Sequence, residues 1–142
     1  TIGYEGRTLE EYISLLLGEG IRAVVDVRRN PISRKKGFSK TALGDGLLAN
    51  GILFLHIPGL GIDSSLRKML DTEEDYRQLF RTYTSKLLPK AVTEIETLES
   101  ILERYSSVAL TCFELDPLHC HRHCISDYFY SQGTIAIPAT HI

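Results

Sequence analysis

Apolar residues recur along the chain in two alternating rhythms. Leu9, Tyr12, Ile13 and Leu16 follow the 3.6-residue period of one helix face. Thr8 and Glu11 are spaced to form a capping box at its start, and Gly18 and Gly20 stop it. The run IRAVVDV (21–27) is then almost continuously apolar and β-branched, as in a strand covered on both faces of a parallel sheet. With the strand-like opening Thr1–Tyr4, it predicts a βαβ unit. Ser39–Asn50 predicts a weaker helix, because Gly44 and Gly46 each cost about 1 kcal/mol relative to alanine. ILFLHI (52–57) predicts a third strand. Tyr76, Leu79, Phe80, Tyr83 and Leu87 mark one helix; Val92, Ile95, Leu98, Leu102 and Tyr105 mark another after Pro89. VALTCF (108–113) is the fourth buried strand. Asp116 as N-cap and Pro117 at the first helical position predict a helix from Leu118 to Ser131, ended by Gly133, with TIAIPAT (134–140) as a fifth strand. The expected fold is therefore α/β: a single domain over residues 1–142, with a mostly parallel sheet of about five strands and helices on both faces.

Composition narrows the class. A chain of 142 residues, 43% hydrophobic and 24% charged, can bury one ordinary core. No apolar run approaches the roughly 18 residues of a membrane helix, and no charged segment precedes an apolar one at the start, so neither membrane nor leader is expected. The start at Thr1 rather than methionine reads as trimming. The three cysteines are odd in number and clustered, which favours reduced thiols in the cytoplasm over a secreted disulfide framework.

The net charge of −2 conceals a separation of sign. Between Val27 and Gly44 lie six basic residues and no acid: Arg28, Arg29, Arg34, Lys35, Lys36 and Lys40. The acids between Asp71 and Glu103 read as solvated helix faces. In open α/β sheets, ligands bind beyond the carboxyl ends of the strands, and those ends supply Tyr4, Asp26, Arg28, His56, Cys112 and Glu114.

The densest chemistry is TCFELDPLHCHRHC (111–124), which holds all three cysteines and three of the five histidines. Cys120 falls in the expected first turn of the last helix, where free N–H groups and the helix dipole favour a thiolate, with Arg122 adding positive charge. It is the candidate nucleophile, with Glu114 or His121 as proton-transfer group. Cys112 is a second candidate, although a cysteine in an apolar strand is commonly a small buried hydrophobe. Cys124, beside Ile125, Tyr128 and Phe129, reads as core. Arg28 and Arg122 suit an anion through their planar forks, with Ser33 as hydroxyl donor and Tyr4 and Asp26 beside them. An ion pair between Arg28 and Asp26 is the alternative. The spacing Cys112-x7-Cys120-x3-Cys124 lacks the close pairs of structural zinc sites, so no metal is expected, and no cofactor motif is present. CxxC, Cys-x5-Arg and GxxxxGK are all absent.

Three motifs together resemble one family. CxExDPxxCHR is present as Cys112, Glu114, Asp116, Pro117, Cys120, His121 and Arg122. DVRxxPxSR is present as Asp26, Val27, Arg28, Pro31, Ser33 and Arg34, TIGY as Thr1–Tyr4, and a PGLG loop as Pro58–Gly61. This set resembles domain of unknown function 488, across nearly the entire chain. The resemblance implies an α/β domain with an enzymatic or nucleic-acid-related role and no assigned reaction. Two function classes follow from the residues: a thiol-dependent enzyme for a phosphorylated or nucleotide-like substrate, and a nucleic-acid-binding module whose basic loop 28–40 tracks phosphates. A metal-binding protein is the third.

Overall fold

The structure, a computed structural model, describes residues 1–68 and 70–142. Its strands are β1 (Ile2–Gly3), β2 (Ala23–Asp26), β3 (Leu53–His56) and β4 (Val108–Cys112), and its α-helices α1 (Leu9–Gly18), α2 (Lys40–Ala49), α3 (Glu73–Thr82), α4 (Val92–Arg104) and α5 (Arg122–Ser131). The sheet is wholly parallel in the order β1-β4-β2-β3. Strand β4, last in sequence, is thus inserted between β1 and β2. Its carboxyl end is flanked by the residues that leave those two strands.

Alternation along the strands divides the core into two layers. Val24 and Ala109 face one side with Tyr12, Leu16, Leu43 and Leu47 of α1 and α2. Val25 and Leu110 face the other, with Ile95 and Leu98 of α4 and Ile125 and Phe129 of α5. The double cover explains why the strands read as unbroken apolar runs. The capping box at Thr8 and Glu11 is formed as its sequence signals. Ser39 caps α2, accepting from the Ala42 N–H at 3.4 Å. The glycines that weaken α2 let it pack closely: a Cβ on Gly44 would press on the Phe54 ring, and one on Gly46 on Leu9.

Two expectations are corrected. The expected fifth strand is absent among the described residues: 134–140 forms no ladder, and the tail meets the start of the chain at Thr1, whose amino group donates to the Thr140 carbonyl, whose hydroxyl lies 2.7 Å from His141 Nδ1 and whose carbonyl accepts from the Ile142 N–H at 2.9 Å. Pro138 contributes by removing a donor that a strand would need. The last helix also starts later than Leu118. Asp116 accepts from the Leu118 N–H at 2.8 Å, but it caps only a single 3₁₀ turn, Pro117–His119. Cys120 is extended (φ −136°, ψ 133°), and α5 begins at Arg122. Cys120 therefore lies outside the helix rather than in its first turn. The break turns the Cys120 side chain into the core beneath β4.

Candidate functional site

The carboxyl edge of the sheet opens into a cleft of about 580 Å³. Its walls come from the loop after β2 (Arg28–Lys35), the segment after β3 (Ile62, Ser64 and Arg67), Tyr4 after β1, Cys112 and Phe113 at the end of β4, and His121 before α5. Five of these lining residues are cationic, Arg28, Arg29, Arg34, Lys35 and Arg67, and none is acidic.

Not all of that charge is free. Arg28 is buried, and its guanidinium is engaged by its own chain: Nε–H and Nη2–H donate to the Asp26 carboxylate at 2.6 to 3.0 Å, and Nη1 donates to Tyr4 Oη at 2.7 Å and the Phe38 carbonyl at 2.9 Å. Asp26 also accepts from the Arg28 N–H at 3.0 Å. The buried ion pair anchors the basic loop, and Tyr4 stacks on Phe38 with ring centroids 4.4 Å apart. Arg122 is farther from an anion-binding role. It is fully buried, does not line the cleft, and donates to the carbonyls of Glu114 (2.6 Å) and Leu115 (2.9 Å) and to Thr1 Oγ1 (3.2 Å). Sequence pairs Arg28 with Arg122 as anion ligands, whereas the structure uses one to anchor a loop and the other to hold a turn. Ser33 lines the cleft, and its Oγ accepts from the Lys35 N–H at 3.2 Å. Arg29 and Arg34 are exposed at the cleft wall, and Lys35 Nζ reaches the Tyr4 carbonyl at 3.0 Å.

At the cleft floor, Cys112 donates its S–H to Glu114 Oε2 at 3.2 Å, and Glu114 is ion-paired to Arg67. Arg67 carries no periodic or motif signal in its sequence context. The clue available is its place in a loop that follows a parallel strand. Behind Cys112 lies Cys120, and the two sulfurs and a ring nitrogen of His121 all lie within 4.8 Å of one another. His121 Nε2 is 2.9 Å from the Val27 carbonyl, which requires Nε2 to carry the proton. In the neutral tautomer that this contact selects, Nδ1 presents its lone pair to Cys120 Sγ at 3.9 Å. The linear spacing of the cysteines conceals this cluster, since the extended Cys120 brings together groups that one helix would have separated. Two thiolates and Nδ1 could hold a soft divalent ion in three positions of a tetrahedron. His119 and His123 lie apart from it, on Glu73 at 2.8 Å and on the carbonyls of Pro117 and Cys120.

The two thiols diverge electrostatically. A hydrogen bond from Cys120 lowers the pKa of Cys112 and outweighs its burial, with Arg67 and Arg122 adding to the effect. Burial, and then the same bond seen from the donor side, pushes Cys120 up to about 12. Cys124, by contrast, is raised to about 11 by burial.

Residues 8–129 match the family described as Domain of unknown function DUF488. The chain belongs to that family. The matched span of this DUF488 chain runs from the cap of α1 to Phe129 in α5 and includes Arg28, Arg67 and the whole Cys112–Arg122 segment. No curated protein and no solved structure matches the chain. Among the described residues, no helix is long and apolar enough to cross a membrane.

Proposed function

We propose that this protein is a thiol-dependent enzyme that takes a phosphorylated or nucleotide-like anion into the cleft at the carboxyl edge of the sheet, with Cys112 as its nucleophile. The observation that carries the reading is the coincidence of a cation-lined, acid-free cleft wall with a thiol on its floor. Arg29, Arg34, Lys35 and Arg67 bind the anion, and Ser33 adds a hydroxyl. Glu114 accepts the Cys112 proton. An anion that draws Arg67 away from Glu114 leaves that carboxylate a stronger proton acceptor, so ligand binding and thiolate formation reinforce each other. Cys120 stays protonated and donates to the Cys112 sulfur. The 142 residues act as one domain, and three free thiols fit the reducing cytoplasm.

Iodoacetamide alkylation of the native protein, mapped by mass spectrometry, tests the assignment. Cys112 reacts first at neutral pH, and inorganic phosphate or a nucleoside monophosphate protects it. Resistance of Cys112 until the protein unfolds would end the nucleophile reading. A stoichiometric metal retained by Cys112 and lost in Cys112→Ser would end it in favour of a metal centre. A second reading rests on the exposure of Arg29, Arg34, Lys36 and Lys40 along the basic loop, which suits a nucleic-acid backbone. Steeply salt-dependent RNA or DNA binding, unaffected by alkylation of Cys112, would favour it.

A further inference from the structure

Cys120 has no place in anion binding. It does not line the cleft, and it is as buried as Cys112, which does line it. An apolar side chain would fill the same space, yet this position carries a second thiol directed at the first and a histidine lone pair directed at the second. All the cysteines are free. Cys120 also sits on a short extended linker between a 3₁₀ turn and α5, a segment able to bring one sulfur toward the other without unwinding a helix.

We propose that Cys112 and Cys120 are a redox pair: a hydroperoxide entering the basic cleft oxidises Cys112, and Cys120 resolves the product to an intramolecular disulfide. The proposal rests on the reading of Cys112 as the reactive sulfur on the cleft floor. In the first step the Cys112 sulfur attacks the distal peroxide oxygen. An S–O bond forms and the O–O bond breaks. The sulfur is oxidised by two electrons to a sulfenic acid, and the departing oxygen takes up the proton held by Glu114 and leaves as water or an alcohol. In the second step Cys120 passes its proton to His121 Nδ1 and its sulfur attacks Cys112. The S–S bond forms, the S–OH bond breaks, and hydroxide leaves as water with the proton from His121. Two thiols and one hydroperoxide thus become one disulfide, one alcohol or water, and one water. A thiol reductant returns the pair to its starting state. Cys124 is excluded from this cycle by position: its Sγ is 3.3 Å from His123 Nε2 and lines a separate groove with Tyr76 and Phe80 of α3.

The chain contains no Lys or Arg between Tyr105 and His121, so trypsin leaves Cys112 and Cys120 on one peptide, Tyr105–Arg122, and Cys124 on the next. The reduced full-length protein is treated with one equivalent of hydrogen peroxide, and remaining thiols are alkylated in denaturant. The expected product is a Tyr105–Arg122 peptide lighter by two hydrogens and unalkylated at both cysteines, reversed by dithiothreitol, while Cys124 stays alkylated. Cys120→Ser converts this product to a Cys112 sulfenic acid that dimedone traps, whereas Cys112→Ser leaves Cys120 reduced. A Cys112 sulfenic acid that persists in the unaltered protein, a bridge to Cys124, or no loss of thiols would overturn the pair. Parallel alkylation without peroxide separates the two ideas. Fast alkylation of Cys112 with no disulfide defeats the redox pair alone, whereas failure of both defeats the thiol reading beneath it.

Discussion

At the scale of single residues, the site is governed by the division of labour between two sulfurs. Cys112 gains a hydrogen-bond donor, and ionisation is made easier; Cys120 gives that bond and is buried, and ionisation is made harder. The sign follows directly. As pH rises, Cys112 loses its proton before an ordinary thiol does, Cys124 follows at about 11, and Cys120 is last, at about 12. Alkylation rates measured from pH 6 to 10 should rise and level off for Cys112 while those of Cys120 stay near zero. Cys120→Ala removes the donor, so the Cys112 profile should move to higher pH. An unchanged profile would show that the neighbouring thiol is irrelevant. Arg67→Ala should weaken phosphate binding about 10- to 100-fold, the loss of one charge-assisted hydrogen bond, as read by calorimetry.

At the scale of elements, the turn between β4 and α5 is held by contacts that no local propensity requires. Arg122 reaches back to the carbonyls of Glu114 and Leu115, and Gly3 allows the same turn to lie on β1, where a Cβ would overlap the Glu114 carbonyl. Arg122→Ala removes a fully buried side chain and leaves the Glu114 and Leu115 carbonyls without donors, and should cost about 2–5 kcal/mol. Gly3→Ala should destabilise by a similar amount, because backbone rather than a flexible side chain must move. Urea unfolding reads both. If either variant keeps its midpoint while losing phosphate binding, the clamp reading fails, since a structural arginine acts on stability first. Arg28→Ala should behave in the same way, because it strands a fully buried Asp26 carboxylate at a cost of about 3–5 kcal/mol.

At the scale of the whole molecule, a net charge of −2 coexists with one concentrated basic face. An anion that binds only the folded cleft should raise the unfolding free energy by about 2.7 kcal/mol at one hundred times its dissociation constant. Salt should erode that stabilisation, because the exposed Arg29 and Arg34 are screened over about 8–10 Å at physiological ionic strength. Scanning calorimetry with phosphate at low and high sodium chloride measures both. Equal stabilisation of a variant with Arg29, Arg34 and Arg67 neutralised would move the anion site elsewhere.

Periodicity and capping by themselves determined the helices α1 to α4, the four parallel strands and the edge on which the chemistry gathers. Those features depend on contacts a few residues apart and on the continuous apolar runs of a sheet covered on both faces. DVRxxPxSR and CxExDPxxCHR likewise marked segments that line the cleft. Only the tertiary structure decided which groups are available within it. Arg28 and Arg122 look like anion ligands in sequence; the ion pair with Asp26 is the alternative that the sequence already offers for Arg28, but its further partners Tyr4 and Phe38, and the Thr1 and Glu114–Leu115 partners of Arg122, arrive from distant positions or from the fold of a loop. Asp116-Pro117 signals a helix start equally well whether the helix continues or breaks after one turn. The break is set by burial of Cys120 and by the clamp of Arg122, which pull residues two apart in different directions. Arg67, with no local pattern to mark it, enters the site because β3 ends beside β2 and the chain beyond it folds back over β4.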